Sequence, residues 1–275
     1  MIRLWTPWQC RPSGRGFVGL ALVAVALSGA TASPALGAPI TLGVMGDSLS
    51  DEYQFNGRGY AANWVEQLAT AGTVNFGASG SYAAPRNQGF AYNWALSGAT
   101  SATVLSGGQA TGLAGQIPSA GIGYAMLVIG ANDFAPGSTA YDSIYNGTWN
   151  TAQINSYVSG VVANISTALG DVLPTGVKMG VATLPDYGIA PAVQAAYTNP
   201  AQRQLVANAI DQVNQGIKAL AQSDHIVVAD MASMINAVFG PESAFHTTVL
   251  IGNVTINLNQ TTSSNPSTAG FVSDG

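Results

Sequence analysis

Ile40-Thr41-Leu42-Gly43-Val44-Met45-Gly46-Asp47-Ser48-Leu49-Ser50-Asp51 is the stretch on which the reading of this chain turns. Ile40 to Met45 is an apolar run of strand length that stops at Gly, Asp and Ser, so it predicts a buried strand with a serine just past its carboxyl end. A hydroxyl in that position is carried on a rigid element and faces outward, which suits a nucleophile. Gly, Asp and Ser are also ordinary turn residues. The stretch alone therefore does not separate a reactive site from a polar turn.

Working outward, short apolar runs alternate with stretches of helical spacing. Val74 to Phe76, Tyr124 to Gly130, Met179 to Leu184 and Ile226 to Ala229 read as four more strands. Trp64 to Ala69, Asn150 to Leu173, a segment opened by Asn199-Pro200, and Met231 to Phe239 read as helices. In the second of these, Ile154, Tyr157, Val158, Val161, Val162, Ile165, Leu169 and Val172 form one apolar face. In the third, the buried stripe is expected at Leu205, Val206, Ala209, Ile210, Val213, Ile217 and Leu220, behind a capping Asn and a first-turn Pro. The alternation implies a three-layer α/β/α fold with a central parallel sheet of about five strands. Gly77 to Gly89 and Asn257 to Gly270 read as long surface loops. In such folds ligands sit beyond the carboxyl ends of the strands.

The amino terminus carries Arg3, Arg11 and Arg15, an apolar run from Phe17 to Leu27, and small residues after it. This is the pattern of a secretory signal over residues 1–37, with cleavage expected near 32 or 37. Residues 38–275 are then expected to form one domain. The apolar run is shorter than the ~20 residues that a bilayer span needs, so no stable membrane span is expected after cleavage. Eight basic residues stand against 13 acidic ones. Without the three arginines of the signal, five basic residues remain and the net charge becomes −8. A surface of that sign, with no basic stripe, argues against nucleic acid as a partner. Cys10 is the single cysteine and lies in the signal. Only His225 and His246 are available as histidine ligands, so a His-rich metal site is not expected. With no phosphate-cradling loop or dinucleotide fingerprint either, no cofactor is expected.

Three predicted strands end or lead into polar residues suited to catalysis. They are Gly46-Asp47-Ser48-Leu49-Ser50, then Asn93-Trp94-Ala95-Leu96-Ser97-Gly98-Ala99-Thr100, then Gly130-Ala131-Asn132-Asp133. In that order and at those separations, they resemble the GDSL, or SGNH, family of serine esterases and lipases, whose fold is flavodoxin-like. The resemblance runs from about Ile40 to the end of the chain. It implies that Ser48 is the nucleophile, and that its backbone N–H, the N–H of Gly98 and the side-chain amide of Asn132 form an oxyanion hole. The chemistry agrees, because acyl transfer needs two or three donors aimed at one developing negative oxygen. Gly98 has no side chain to block approach, and Asn132 donates without carrying charge. Asp47 and Asp133, beside these residues, are expected to brace loops by hydrogen bonding. The Gly-x-Ser-x-Gly elbow of the other large hydrolase fold is absent.

The chain departs from the family pattern at its end. The family's last motif, Asp-x-x-His, supplies the acid and the general base, and Phe271-Val272-Ser273-Asp274-Gly275 resembles its opening. The expectation is a chain cut off before its histidine, with Asp274 as the acid. Loss of such a base slows catalysis by ~10⁶, so the chain as given is expected to be nearly inert. His225, ahead of the last strand, should lie at the amino edge of the sheet, away from the site. His246 is the other candidate base, and Asp230 the other candidate acid, although helix capping would explain Asp230 as well. The resulting expectation is a secreted, monomeric carboxylic ester hydrolase acting on a small-molecule, lipid or acetylated-carbohydrate ester. An acyltransferase and a catalytically inactive binding domain of the same fold remain alternatives. Tyr53, Phe55, Tyr60, Phe90, Tyr92 and Trp94 flank the first two motifs and could wall an acyl pocket, bind a sugar or simply pack.

Overall fold

The computed structural model describes residues 38–55, 62–86, 88–240, 248–251 and 254–257. The elements in chain order are β1 (Ile40–Gly46), α1 (Trp64–Thr70), β2 (Val74–Asn75), β3 (Ser79–Ser81), β4 (Gln88–Phe90), α2 (Ser101–Ser106), α3 (Gln109–Ala120) and β5 (Tyr124–Val128). There follow α4 (Thr139–Tyr145), α5 (Thr151–Val172), β6 (Lys178–Ala182), α6 (Pro191–Ala196), α7 (Pro200–Asp224), β7 (Val227–Ala229), α8 (Met231–Phe239), β8 (Thr248–Ile251) and β9 (Val254–Asn257).

Five strands pair in the order β2-β1-β5-β6-β7, every pair parallel, as the alternation of elements implied. Their registers sort the side chains into two faces. Gly43 and Met45 of β1 align with Ala125 and Leu127 of β5, which align in turn with Met179 and Val181 of β6. This face buries against Leu113 and Ile117 of α3, Val161, Ile165 and Leu169 of α5, and Ile210, Val213 and Ile217 of α7. Gly43 is needed here because a Cβ would stand 2.6 Å from Leu113 Cδ1. The opposite face is thinner. Val44 packs there with Val65 of α1, Val74, Phe76 and Ala95, and α8 contributes a separate small cluster through Ile235 and Phe239.

The two long helices begin where the sequence indicated. Asn150 caps α5 in a reciprocal box with Gln153, and the Asn199 side chain accepts from the N–H groups of Ala201 and Gln202 at the start of α7. One stripe residue was misplaced. Leu205 is 47% exposed, because Val206, Ile210, Val213 and Ile217 define the seam and Leu205 is rotated about 100° from it.

Two other expectations are corrected. The supposed loop Gly77 to Gly89 contains β3 and most of β4, an antiparallel hairpin pairing Ser79 with Phe90 and Ser81 with Gln88. Its strands read Ser-Gly-Ser and Gln-Gly-Phe, with one apolar residue between them, so no apolar alternation announced them. Asn257, taken as the start of a second loop, ends β9, which pairs antiparallel with β8. The remainder of that loop lies outside the described residues, as do the segment expected to be a signal, residues 1–37, and Cys10 within it. No helix among the described residues is long and apolar enough to cross a membrane.

Candidate active site

The chain leaves β1 for β2 on one side and returns to β5 on the other, so the order of the sheet reverses between β1 and β5. Crevices at such reversals, beyond the strands' carboxyl ends, are where open parallel sheets hold ligands. Ser48 follows β1 and Asn132 follows β5, so the two line that crevice.

The end of β1 is held from three sides. The fully buried side chain of Gln109 accepts a hydrogen bond from the Gly46 N–H (2.9 Å) and donates one to the Gly46 carbonyl (3.0 Å). The Leu96 N–H donates to the same carbonyl at 3.1 Å. A Cβ on Gly46 would lie 2.3 Å from the Val128 carbonyl oxygen, so only glycine allows β5 to come this close. The next residues form a tight turn. The N–H groups of Ser50 and Asp51 both donate to the Asp47 carbonyl at 3.0 Å, and the Leu49 N–H donates to Asp47 Oδ1 at 2.9 Å. Asp47 thus braces the loop, as expected, and Ser48 stands half-buried at its start. Ser50 is buried beneath. Its hydroxyl oxygen accepts from Trp64 Nε1 (3.1 Å) and its carbonyl from Asn93 Nδ2 (2.7 Å).

The second motif reaches the site by extending the sheet. β2 pairs with β1 only at Ile40 and Thr41. Beside the upper half of β1 its place is taken by residues 92–96: the Val44 N–H donates to Tyr92 (2.9 Å), and the Trp94 N–H donates to Val44 (2.8 Å). The turn Ser97-Gly98 follows, closed by the Ala99 N–H on the Leu96 carbonyl at 3.0 Å. Gly98 has φ +82 and is exposed, and a Cβ there would meet nothing within 4 Å. Glycine is thus required by the left-handed backbone more than by crowding.

Asn132 lies in a 3-10 turn, Ala131–Phe134, entered through Gly130 at φ +113. Its Nδ2 donates to the Ala99 carbonyl at 2.8 Å, joining the third motif to the second. An amide nitrogen carries two hydrogens, so this contact orients the group while a second N–H remains to be aimed. The adjacent Asp133 is buried, and its carboxylate accepts from the backbone N–H and the hydroxyl of Ser101, each at 2.8 Å. Tyr157 donates its hydroxyl to the Asp133 carbonyl at 2.9 Å, and Asn164 Nδ2 donates to Ser101 Oγ at 3.1 Å. Burial pushes the Asp133 carboxyl above its ordinary range, against the opposing effect of the Ser101 hydrogen bonds. Its role is also bracing.

The candidate acids and bases sort differently. His225 caps the carboxyl end of α7 in a left-handed conformation (φ 55), exposed and ahead of β7, at the amino edge away from Ser48. Asp230 follows β7 and caps α8 through the Ser233 N–H (3.2 Å). It also accepts from the Thr183 hydroxyl (3.0 Å) and pairs with Lys218 at 2.7 Å. Partial burial opposes its charge, but the bonds from Lys218, Ser233 and Thr183 outweigh it and hold the carboxyl at about 2. β7 is the third strand from β1, ~14 Å away at the usual strand spacing, so Asp230 does not belong to this crevice. His246, Asp274 and Tyr60 lie outside the described residues. No group of three or more His, Cys, Asp or Glu among the described residues could hold a metal ion.

Of the flanking aromatics, Phe90 packs against Phe76 (centroids 5.9 Å apart), and Tyr92 and Trp94 pack against the main core. These three are packing residues, whereas Phe55 is 42% exposed. Sequence reasoning missed Gln109, Ser101 and Tyr187. Tyr187 sits in a 3-10 turn after β6, and its phenol is raised by burial first and then by the charges of Asp47 and Asp133. Its segment, Leu184-Pro185-Asp186-Tyr187, carries no signal beyond its position after a strand.

A family model described as GDSL-like lipase/acylhydrolase matches residues 42–260. The chain belongs to the GDSL-like lipase/acylhydrolase family. Comparison with curated proteins gives no match. Among solved structures, this GDSL chain is similar to an extracellular lipase from Streptomyces rimosus, at 14% identity, 86% coverage of this chain, 94% of the other and a TM-score of 0.50. A variant of an acetyl-xylooligosaccharide esterase from Geobacillus stearmophilus aligns at 13% identity over 74% of this chain and 80% of the other, with a TM-score of 0.44. The Streptomyces structure supports the three-layer fold of the GDSL chain, and the family supports ester hydrolysis as its class of reaction.

Proposed function

We propose that this protein is an exported serine hydrolase that cleaves carboxylic esters with Ser48 as its nucleophile. The observation that carries this reading is the meeting of three turns at the carboxyl ends of β1 and β5: the Asn132 amide on the Ala99 carbonyl (2.8 Å) joins the third motif to the second, and the Leu96 N–H on the Gly46 carbonyl (3.1 Å) joins the second to the first. In this reading the Ser48 hydroxyl attacks the ester carbonyl. The N–H groups of Ser48 and Gly98 and the remaining N–H of the Asn132 amide receive the oxyanion. The ester C–O bond then breaks, the alcohol leaves with the proton the base took from Ser48, and water hydrolyses the acyl–Ser48 ester to the free acid and serine. The base is sought outside the described residues, since His225 stands at the opposite edge. Asp274 is assigned as the orienting acid on family resemblance. Export is supported by the arginines and apolar run of residues 1–37. Lipid esters and acetylated carbohydrates are the two substrate classes to compare.

The test is a fluorophosphonate probe on the full-length protein. Labelling that maps to Ser48 and is lost in Ser48→Ala supports the reading, because only an activated hydroxyl reacts. An unlabelled, folded protein would overturn it and favour a non-catalytic binding domain.

A further inference from the structure

We propose that Asp51 is a positioning residue whose carboxylate locks the turn bearing Gly98 onto the turn bearing Ser48. The proposal rests on the roles assigned above to those two residues. Asp51 closes the nucleophile turn with its N–H on the Asp47 carbonyl, and its Oδ2 accepts the Ser97 N–H at 2.8 Å, across 46 positions of chain. Its own carbonyl accepts from Asn63 Nδ2 at 2.8 Å, which ties it to the capping residue of α1. The peptide whose N–H it holds directly precedes that of Gly98.

The next residue grips the other end of the same segment. Glu52 is buried, and its Oε1 accepts the Phe90 N–H at 2.7 Å. Gly89 leaves it room, since a Cβ there would be 2.4 Å from Glu52 Oε2. Two consecutive carboxylates thus hold residues 90 and 97, while β1 holds Tyr92, Trp94 and Leu96 between them. Ser97 and Gly98 are exposed, so water could satisfy their N–H groups and the fold does not require this carboxylate there. What a charged acceptor adds at an exposed turn is a fixed orientation. Fixed orientation matters where a donor must meet a charge that exists only in the transition state.

The experiment compares the full-length wild-type protein, the form in which the Ser48 reading is tested, with its Asp51→Ala, Asp51→Asn and Asp51→Glu variants. It measures p-nitrophenyl acetate hydrolysis per fluorophosphonate-titrated site and the hydrogen exchange of the Ser97 amide. Asp51→Ala should lower kcat by about 10–10²-fold, the size expected from a displacement of roughly 1 Å. KM should not change, since the loss falls on the transition state. Asp51→Asn keeps an acceptor oxygen and should restore both kcat and the slow Ser97 exchange that alanine abolishes. Wild-type kcat in Asp51→Ala overturns the proposal, and so does a loss that vanishes once rates are expressed per titrated site. If the alanine variant does not fold, Asp51→Glu decides: its longer side chain should displace Ser97 and lower kcat at constant KM, and wild-type kcat overturns the assignment. If the wild type does not react with the probe, the reading of Ser48 fails, and Asp51 is judged on exchange alone. A Ser97 amide unprotected in the wild type then overturns the positioning contact, and protection lost only in Asp51→Ala upholds it.

Discussion

A side-chain amide both donates and accepts, so it can clamp a backbone peptide where a strand ladder ends, and Gln109 does this for the N–H and carbonyl of Gly46. Gln109→Leu should leave a buried N–H without that acceptor. The expected cost is about 1–3 kcal/mol of stability, read as a lower urea midpoint at unchanged slope. Asn132→Ala tests a different quantity. It should lower kcat by ~10²–10³ with little effect on KM, the usual consequence of losing one oxyanion donor. The two residues also differ in how visible they were. Asn132, Ser48 and Gly98 stood out in the sequence as candidates because each sits in a short motif at or after a strand end. Gln109 could not, because its role depends on a helix lying under a strand end 63 positions away, and nothing in its own neighbourhood records that.

At the level of elements, α5 and α7 were legible because their apolar residues repeat at helical spacing over more than four turns each. α3 was not, since Gly112, Gly115 and Pro118 read as punctuation. The structure gives a reason for one of these glycines: a Cβ on Gly112 would stand 2.1 Å from the Trp94 ring. Gly115 is exposed and meets nothing within 4 Å. The same substitution should therefore have opposite signs three residues apart. Gly115→Ala should stabilise by about 1 kcal/mol through helix propensity, whereas Gly112→Ala should destabilise by about 1–3 kcal/mol through overpacking. Thermal melting of the two variants checks both. The hairpin β3–β4 escaped detection for a related reason. Its strands are specified by contacts from elsewhere, such as Glu52 on the Phe90 N–H, and they have no apolar alternation of their own.

Across the whole molecule, buried and ion-paired carboxyls give opposing pH dependences. Burial raises Glu52 and Asp133 above their ordinary values of 4.5 and 3.8. The native state therefore binds protons that the unfolded chain has already lost, and stability rises as pH falls through that window. Asp230 behaves in the reverse sense: its contribution is complete above 3.8 and is lost as pH falls toward about 2. For these three groups stability should peak near pH 4, and Glu52→Gln should flatten the limb above it, which urea midpoints measured between pH 2 and 8 will show. The parallel sheet was legible from the alternation of strand and helix, but the substitution of residues 92–96 for β2 beside the upper half of β1 was not, because those residues carry a motif and not a strand pattern. That substitution makes the turn bearing Gly98 a continuation of the central sheet. A site built this way is finished when the sheet is finished, and it cannot fray separately from it. In a denaturant titration, loss of probe reactivity at Ser48 should then superimpose on loss of circular dichroism, with no inactive but folded species between them.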